Sequence, residues 1–485
     1  MARNLLLPIR RLAEDDRGAV LVYVTVILAA LFGIGALVID IGRLASTQTE
    51  LQSFADHLAL AVAGELDGKP DAITRADAVL ARSEWQDTQT FANGGHELTN
   101  ADVTARYLSG LPADDGASVD GFVTTDPLLA RYVDVTVTPR TVANWLTGAL
   151  NALTGGALPA TSATMATAVA GLNQYACDIT PLMICSPNGS NYTPVPGRMI
   201  HLKSGGQGAA WGAGDFGLLD LNFDPSGICG NPNTGANYFR CVLSASVSIT
   251  QCFAKRGVDI RPGQMTGAAA AGFNTRFDMY NNSLSSKNTD PLFAPAPNVI
   301  KGYKTPANGC VGNNPTPSTN TQKMPHDDCF GTGDLCNGSR FGNGAWSVGK
   351  AAYMATNYGG TWSSSATTRY GLYKDEIAKG GGSASTSPIL PSGRDETGRR
   401  TCSTQPAAAS WRRELVAAVI DCQANSISGN ASNVPVLKFV RLFLTEPASD
   451  GGGTNNADVW IEEIEEIEIS GGGAGFAHDV VQLYR

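Results

Sequence analysis

Charge is scarce in this chain: Asp, Glu, Lys and Arg make up 16% of 485 residues, against about 25% in an ordinary globular protein. With a net charge of −9 and no basic stripe, an extended nucleic-acid surface is excluded. Histidine is rarer still, at 5 residues, none at ligand spacing from another, and no C-x-x-C pair occurs, so the common zinc arrangements are excluded. G-x-S-x-G is also missing. Its nearest match, Ala345-x-Ser347-x-Gly349, lacks the first glycine, so no hydrolase elbow is expected. Cysteine is absent from the first 176 residues. What fills the space is Gly, with Ser, Thr and Asn, a composition suited to a loop-rich exported β protein.

Ala19–Ile39 (AVLVYVTVILAALFGIGALVI) carries no charged side chain. At ~1.5 Å rise per residue it spans about 30 Å, the hydrocarbon thickness of a bilayer. It exceeds the roughly 7–15 residues of a secretory h-region, and no A-x-A cleavage site closely follows. A retained transmembrane helix is expected. Arg3, Arg10, Arg11 and Arg17 precede the span, while Arg43 alone closely follows it. Basic residues stay on the cytoplasmic side, which places the bulk of the chain outside the cytoplasm.

All ten cysteines (Cys177, Cys185, Cys229, Cys241, Cys252, Cys310, Cys329, Cys336, Cys402 and Cys422) lie beyond the span. An even number in that position reads as disulfides in an oxidising compartment. Spacing leaves their connectivity open; Cys177 with Cys185 and Cys329 with Cys336 are merely the shortest loops.

Beyond the span, Leu44, Gln48, Leu51, Ala55, Leu58 and Val62 recur at helical spacing, so the helix is expected to run on to about Leu66 and to end at Asp67-Gly68-Lys69-Pro70. The stripe Leu44, Leu51, Ala55, Leu58 and Val62 is a candidate interaction face, for the protein's own domain or for a partner helix. DAITRADAVLARSEW reads as a short helix, YVDVTVTPR as a half-buried strand, TVANWLTGAL as a helix and ATSATMATAVAG as a strand. From Asn173 the character changes to cysteines and turns. NNSLSSKNTDPLFAPAPN, NGCVGNNPTPSTNTQ, KGGGSASTSPILPSGRDETG and EPASDGGGTNNAD read as surface loops between short strands. VPVLKFVRLFL and ADVWIEEIEEIEI read as two strands joined by the last of these loops. The fold expected is a membrane-anchored α+β protein. It has a tail at 1–18, a transmembrane helix at 19–39, an extended helix with a small α+β unit at 40–171, and a β-rich, disulfide-containing exported domain at 172–485.

The block Arg17-Gly18, apolar span, Asp40-Ile41-Gly42-Arg43 and Ala/Leu-rich helix resembles the N-terminus of TadG-like proteins of the Flp/Tad pilus-assembly system. The small α+β unit resembles the one shared by TadE/G-like proteins, and CDITPLMICSPN, WGAGDFGLLDL, NTRFDMYNN and MPHDDCF are similar to segments of the larger TadG group. The resemblance implies a component of Flp/Tad-type pilus assembly that scaffolds or anchors the pilus, while the residues themselves imply a non-enzymatic protein of the bacterial inner membrane, N-terminus cytoplasmic and bulk periplasmic. Its partners would be other Tad proteins or pseudopilins, and it would need no cofactor. Relatives cut by a prepilin peptidase carry Glu at the fifth position after the cleaved Gly. Here that position is Tyr23, so an uncleaved accessory is expected. The Asp-x-Ser-x-Ser motif of members with a von Willebrand A domain is missing.

Other patterns in the sequence bear on chemistry. Gly344–Lys350 fits the G-x-x-x-x-G-K of a phosphate loop, but position 351 is Ala where a hydroxyl would hold Mg²⁺. Asp220, Asn222 and Asp224 outline a calcium loop with Pro225 at the glycine position and Asn231 where Glu belongs; a strand explains them equally. Asn274, Arg276 and Asp278 suggest a polar network on an extended segment. The glutamates of WIEEIEEIEIS suit a solvated strand edge. His57 lies on the long helix, while His201, His326 and His478 stand in unrelated contexts, so no dyad is expected. Trp346, Tyr353, Tyr358, Trp362, Tyr370 and Tyr373 read as core. Were they exposed, they would support the alternative function, a membrane-anchored glycan- or cell-wall-binding module.

Overall fold

The computed structural model describes residues 17–484 except 83–84, 92–96, 147–158, 178, 206–208, 221–228, 230–234, 247–251, 262–265, 334, 450–456 and 468–476. The chain divides into two compact units, Met1–Asn173 with Val480–Arg485, and Gln174–Asp479.

The first unit is built on one helix, α1 (Arg17–Ala63), about 70 Å long at ~1.5 Å per residue. Val20–Ala63 is long and apolar enough to cross a membrane. The side chains of its first half, from Val20 to Ile41, lie mostly exposed. The second half packs on a sheet of β3 (Val103–Leu108), β4 (Tyr132–Ala143), β5 (Thr161–Cys177) and β15 (Ala477–Leu483), ordered β15-β5-β4-β3. β1 (Gln86–Thr88) and β2 (Glu97–Thr99) pair separately.

Alternation on β4 turns Val133, Val135 and Val137 inward, opposite Ala170, Ala168 and Ala166 of β5. Small alanines on one strand and on the helix (Ala55, Ala59, Ala63) let α1 approach closely, while Leu51, Leu58 and Val62 fill the space between. Each of those three side chains contributes roughly 1.5–3 kcal/mol by burial. Thr141–Ala143, expected to be helical, continue β4 and pair with Ala163–Thr161. Their β-branched Thr141 and Val142 suit an extended backbone. α2 (Ala72–Leu80) buries Ala72, Ala76 and Val79, and its Arg75 meets Glu65, Asp67 and Asp71.

In the second unit the sheet closes on itself. β6 (Leu182–Cys185), β11 (Glu414–Ile420), β13 (Lys438–Leu444), β14 (Asp458–Ile467), β7 (Met199–Ser204) and β8 (Asp215–Leu219) follow in order, and β8 pairs back to β6. The result is a six-stranded barrel, a closure that the general expectation of a β-rich domain did not contain. β8 shares one edge: its start pairs with β7 and its end with β10 (Val258–Arg261), which carries β12 (Ala431–Val434). β9 (Cys252–Ala254) pairs with Tyr175–Cys177 of β5. Trp211 lies flat over Gly205 and Gly217, where an added Cβ would stand 2.3 and 2.6 Å from its ring.

The unit also holds helices where short strands and loops were expected: α3 (Gly235–Ser244), α4 (Thr266–Asn274), α5 (Ser347–Tyr358) and α6 (Arg369–Lys379). Likewise NNSLSSKNTDPLFAPAPN is no surface loop throughout, because Phe293, Ala294, Ala296 and Asn298 are buried. A buried irregular backbone needs partners for its carbonyls, and arginines supply them. Arg412 donates to Ala294, Ala245 and Ser244; Arg399 to Pro297, Ser387, Gly380 and Gly382; Arg413 to Leu444, Thr445 and Asn298.

Five disulfides join Cys177–Cys252, Cys185–Cys422, Cys229–Cys241, Cys310–Cys402 and Cys329–Cys336. One of the two short loops, Cys329–Cys336, forms. Cys177 reaches across to β9 instead of to Cys185, because Cys177 and Cys252 are opposed in register on adjacent strands.

Candidate functional site

The feature with clearest functional content is α1, which changes character along its length. Through the apolar span even the polar Thr25 is satisfied within the helix, its hydroxyl donating to Leu21 and Val22 carbonyls. Tyr23 is 70% exposed. At the end of the span, Asp40 accepts the Leu146 N–H at 3.5 Å and Arg43 donates to the Ala143 carbonyl at 2.9 Å. From Leu51 onward the helix is core. Leu51, Ala55, Leu58 and Val62 are fully buried against β4 and β5, and Leu44 is half-buried. These four side chains pack on the protein's own sheet and present no free face to a partner helix. The polar side of the helix presents Gln48, Gln52, Asp56 and His57 along a shallow groove, with Gln52 bridging Asp56 and the Thr167 carbonyl.

The aromatic group is core as well. Trp346, Tyr353, Tyr358 and Tyr373 are buried, with Trp362 and Tyr370 partly so. This removes the basis for glycan stacking on those rings. Tyr353 and Tyr358 donate to Glu376 at 2.7 and 2.9 Å, and Asn298 donates at 2.6 Å. Burial pushes the Glu376 carboxyl up to about 7, since these donors do not fully replace water.

The remaining patterns resolve into structural roles. At Gly344–Lys350, the N–H groups of Val348 and Gly349 that would cradle a phosphate donate to Asp328, and Lys350 donates to the Ser364 and Ala366 carbonyls. Asp220 pairs with Arg261 at 2.7 Å; Asn222, Asp224 and Asn231 lie outside the described residues. Asn274, Arg276 and Asp278 are not on an extended segment, for α4 runs into a 3-10 turn and Asp278 is left-handed at φ +64°. They do form a polar network. Asn274 exchanges two hydrogen bonds with the Ala448 backbone, Arg276 donates to the Arg412 and Leu243 carbonyls, and Asp278 accepts from Thr401, Cys402 and Ser403. Nor is WIEEIEEIEIS an edge: β14 lies between β13 and β7. Glu462 and Glu463 are buried on it, with Arg369 and Arg198 as partners.

Sequence reasoning missed one cluster altogether. His201 and His326, distant in sequence, both stack on one ring, Trp460, at centroid distances of 4.0 and 3.7 Å. His201 Nε2 is 3.2 Å from Asp458 and His326 Nε2 is 2.9 Å from Glu446. The His201 contact holds Asp458 below its ordinary range. Burial raises Glu446, but His326 and Lys323 outweigh it and leave the carboxyl lowered. No local spacing joins these residues, which come from four separate segments. Among the described residues, no His, Cys, Asp and Glu side chains gather in a group able to hold a metal ion.

In chain order, a long apolar helix is followed by a small antiparallel sheet and then by a disulfide-bonded barrel unit. Residues 18–65 match the Tad family model, described as Flp pilus-assembly TadE/G-like, and so the chain carries a TadE/G-like N-terminal segment. The match covers the apolar span and the buried half of α1, and it supports a role in pilus assembly among other components of that system. No curated protein and no solved structure matches the chain.

Proposed function

We propose that this protein is a non-enzymatic, single-pass component of Flp/Tad-type pilus assembly that scaffolds or anchors the pilus in the periplasm. The observation that carries this reading is the coincidence of the TadE/G-like match at residues 18–65 with a single helix that is apolar and exposed in its first half. In this account residues 1–18 stay cytoplasmic, 19–39 lie in the inner membrane, and 40–171 and 172–485 are exported. The span fixes position. Burial of Leu51, Ala55, Leu58 and Val62 makes α1 one rigid piece with its sheet, so force on the first exported unit passes directly to the anchor. Disulfides, which persist in an oxidising compartment such as the periplasm, then stabilise the second unit. Pseudopilins or other Tad proteins are the partners, reached through surfaces other than the buried stripe.

The test is complementation. Deletion of the gene should abolish surface fibres, and the full chain should restore them. A chimera in which residues 18–65 are replaced by an unrelated single-span helix should reach the membrane without restoring fibres. Fibre formation unaffected by the deletion would refute the proposal.

A further inference from the structure

We infer that the end of the β4–β5 hairpin is a second membrane contact, with Trp145 seated in the lipid headgroup layer where α1 leaves the bilayer. The inference rests on the anchoring reading of α1. Asp40 is the first residue beyond the apolar span, and Arg43 follows one turn later on the same helix. Both hold the hairpin. Arg43 Nη1 donates to the Ala143 carbonyl at 2.9 Å, Asp40 accepts the Leu146 N–H at 3.5 Å, and the Arg43 guanidinium lies 4.0 Å from the centre of the Trp145 ring.

Those contacts fix depth. Four residues from Ile39 to Arg43 rise about 6 Å, and each interfacial layer beside the hydrocarbon core is about 5–7 Å thick. Trp145 is therefore level with the headgroups of the leaflet from which the helix emerges. Its ring is 69% exposed and Leu146 beside it is 39% exposed. In water such a pair leaves a large apolar surface uncovered. At a membrane interface the indole finds the setting that Trp prefers, an apolar body against acyl chains and an N–H toward water and phosphate. Arg43, stacked over the ring, adds a cation at phosphate level. Lipid is the occupant this site favours over a protein partner, because Trp145 and Leu146 are held by Asp40 and Arg43 at the end of a span whose Leu37, Val38, Ile39 and Ile41 are exposed.

The measurement is tryptophan fluorescence of the full chain in phosphatidylcholine vesicles, with and without lipid brominated just below the headgroup. Of the 7 tryptophans, Trp145 is assigned by difference against Trp145→Phe, with Trp145→Tyr as a second silent variant should the first fold poorly. Quenching by the brominated lipid should fall by about half or more in either variant, as expected for an interfacial ring. Unchanged quenching in variants that still float with the vesicles would overturn the inference and leave the anchor intact. Failure of the unaltered chain to float would overturn both.

Discussion

Arg369 holds Glu462 twice, its backbone N–H donating at 2.8 Å and its guanidinium Nη1 at 3.1 Å, with both side chains fully shielded from solvent. The same guanidinium donates to Asp327 at 2.7 Å and to the Pro325 carbonyl at 2.6 Å. Glu462 also accepts the Tyr370 N–H, so a carboxylate on central strand β14 caps the start of α6. There it meets the positive end of the helix dipole. Asp328 does the same for α5. Both helix starts thus gain acceptors from carboxylates distant in sequence, α6 in addition to its own cap, the Thr368 hydroxyl that accepts the Gly371 N–H at 3.0 Å.

Arg369→Met should therefore be among the most damaging single changes, because it strands two buried carboxylates. Breaking a buried ion pair by removing one partner costs about 3–5 kcal/mol. Chemical denaturation followed by near-UV circular dichroism should show that loss. Exposed Arg106, whose partner Asp120 lies at the surface, provides the control, and Asp120→Ala should change stability by less than about 1 kcal/mol.

All ten cysteines belong to the second unit, so reduction should destabilise that unit and spare the first. The Cys185–Cys422 bridge closes the longest loop, 237 residues, and its loss should cost on the order of 3–5 kcal/mol. Hydrogen exchange with and without reductant checks this. Faster exchange in β11 and β13 with little change in β4 is expected.

Glu376 carries a pH dependence of definite sign. Its folded carboxyl titrates at about 7 against an ordinary 4.5, so the folded state holds the proton more tightly than the unfolded chain. Its stabilising contribution is complete below about pH 4.5 and is lost as pH rises through about 7. Thermal melts of Glu376→Gln and the unaltered protein, compared from pH 5 to 8, should show the flatter profile in the variant. Parallel profiles would contradict this account.

Local periodicity made the first unit legible. The stripe through Leu51 and Leu58 and the alternation of Val133, Val135 and Val137 each bury one face, and burial is what those patterns encode. Within TVANWLTGAL, Thr141–Ala143 are extended and not helical, because pairing to β5 decides their conformation. The second unit was far less legible. Barrel closure joins β7 to β8, Cys185 joins Cys422, and the arginines satisfy carbonyls more than a hundred residues away. The glutamates of β14 looked solvent-facing because their partners, Arg369 and Arg198, lie far off in the chain. Polar residues that become buried through distant partners leave no local period to read.

The central claim, a single span with both folded units exported, is tested most directly by protease access in intact spheroplasts. The account predicts that added protease destroys the units beyond residue 40 while a cytosolic marker survives, and that the residual tail and span stay in the membrane pellet after alkaline extraction. Full-length protein protected until the spheroplasts are lysed, or released to the soluble fraction by alkali, would contradict it.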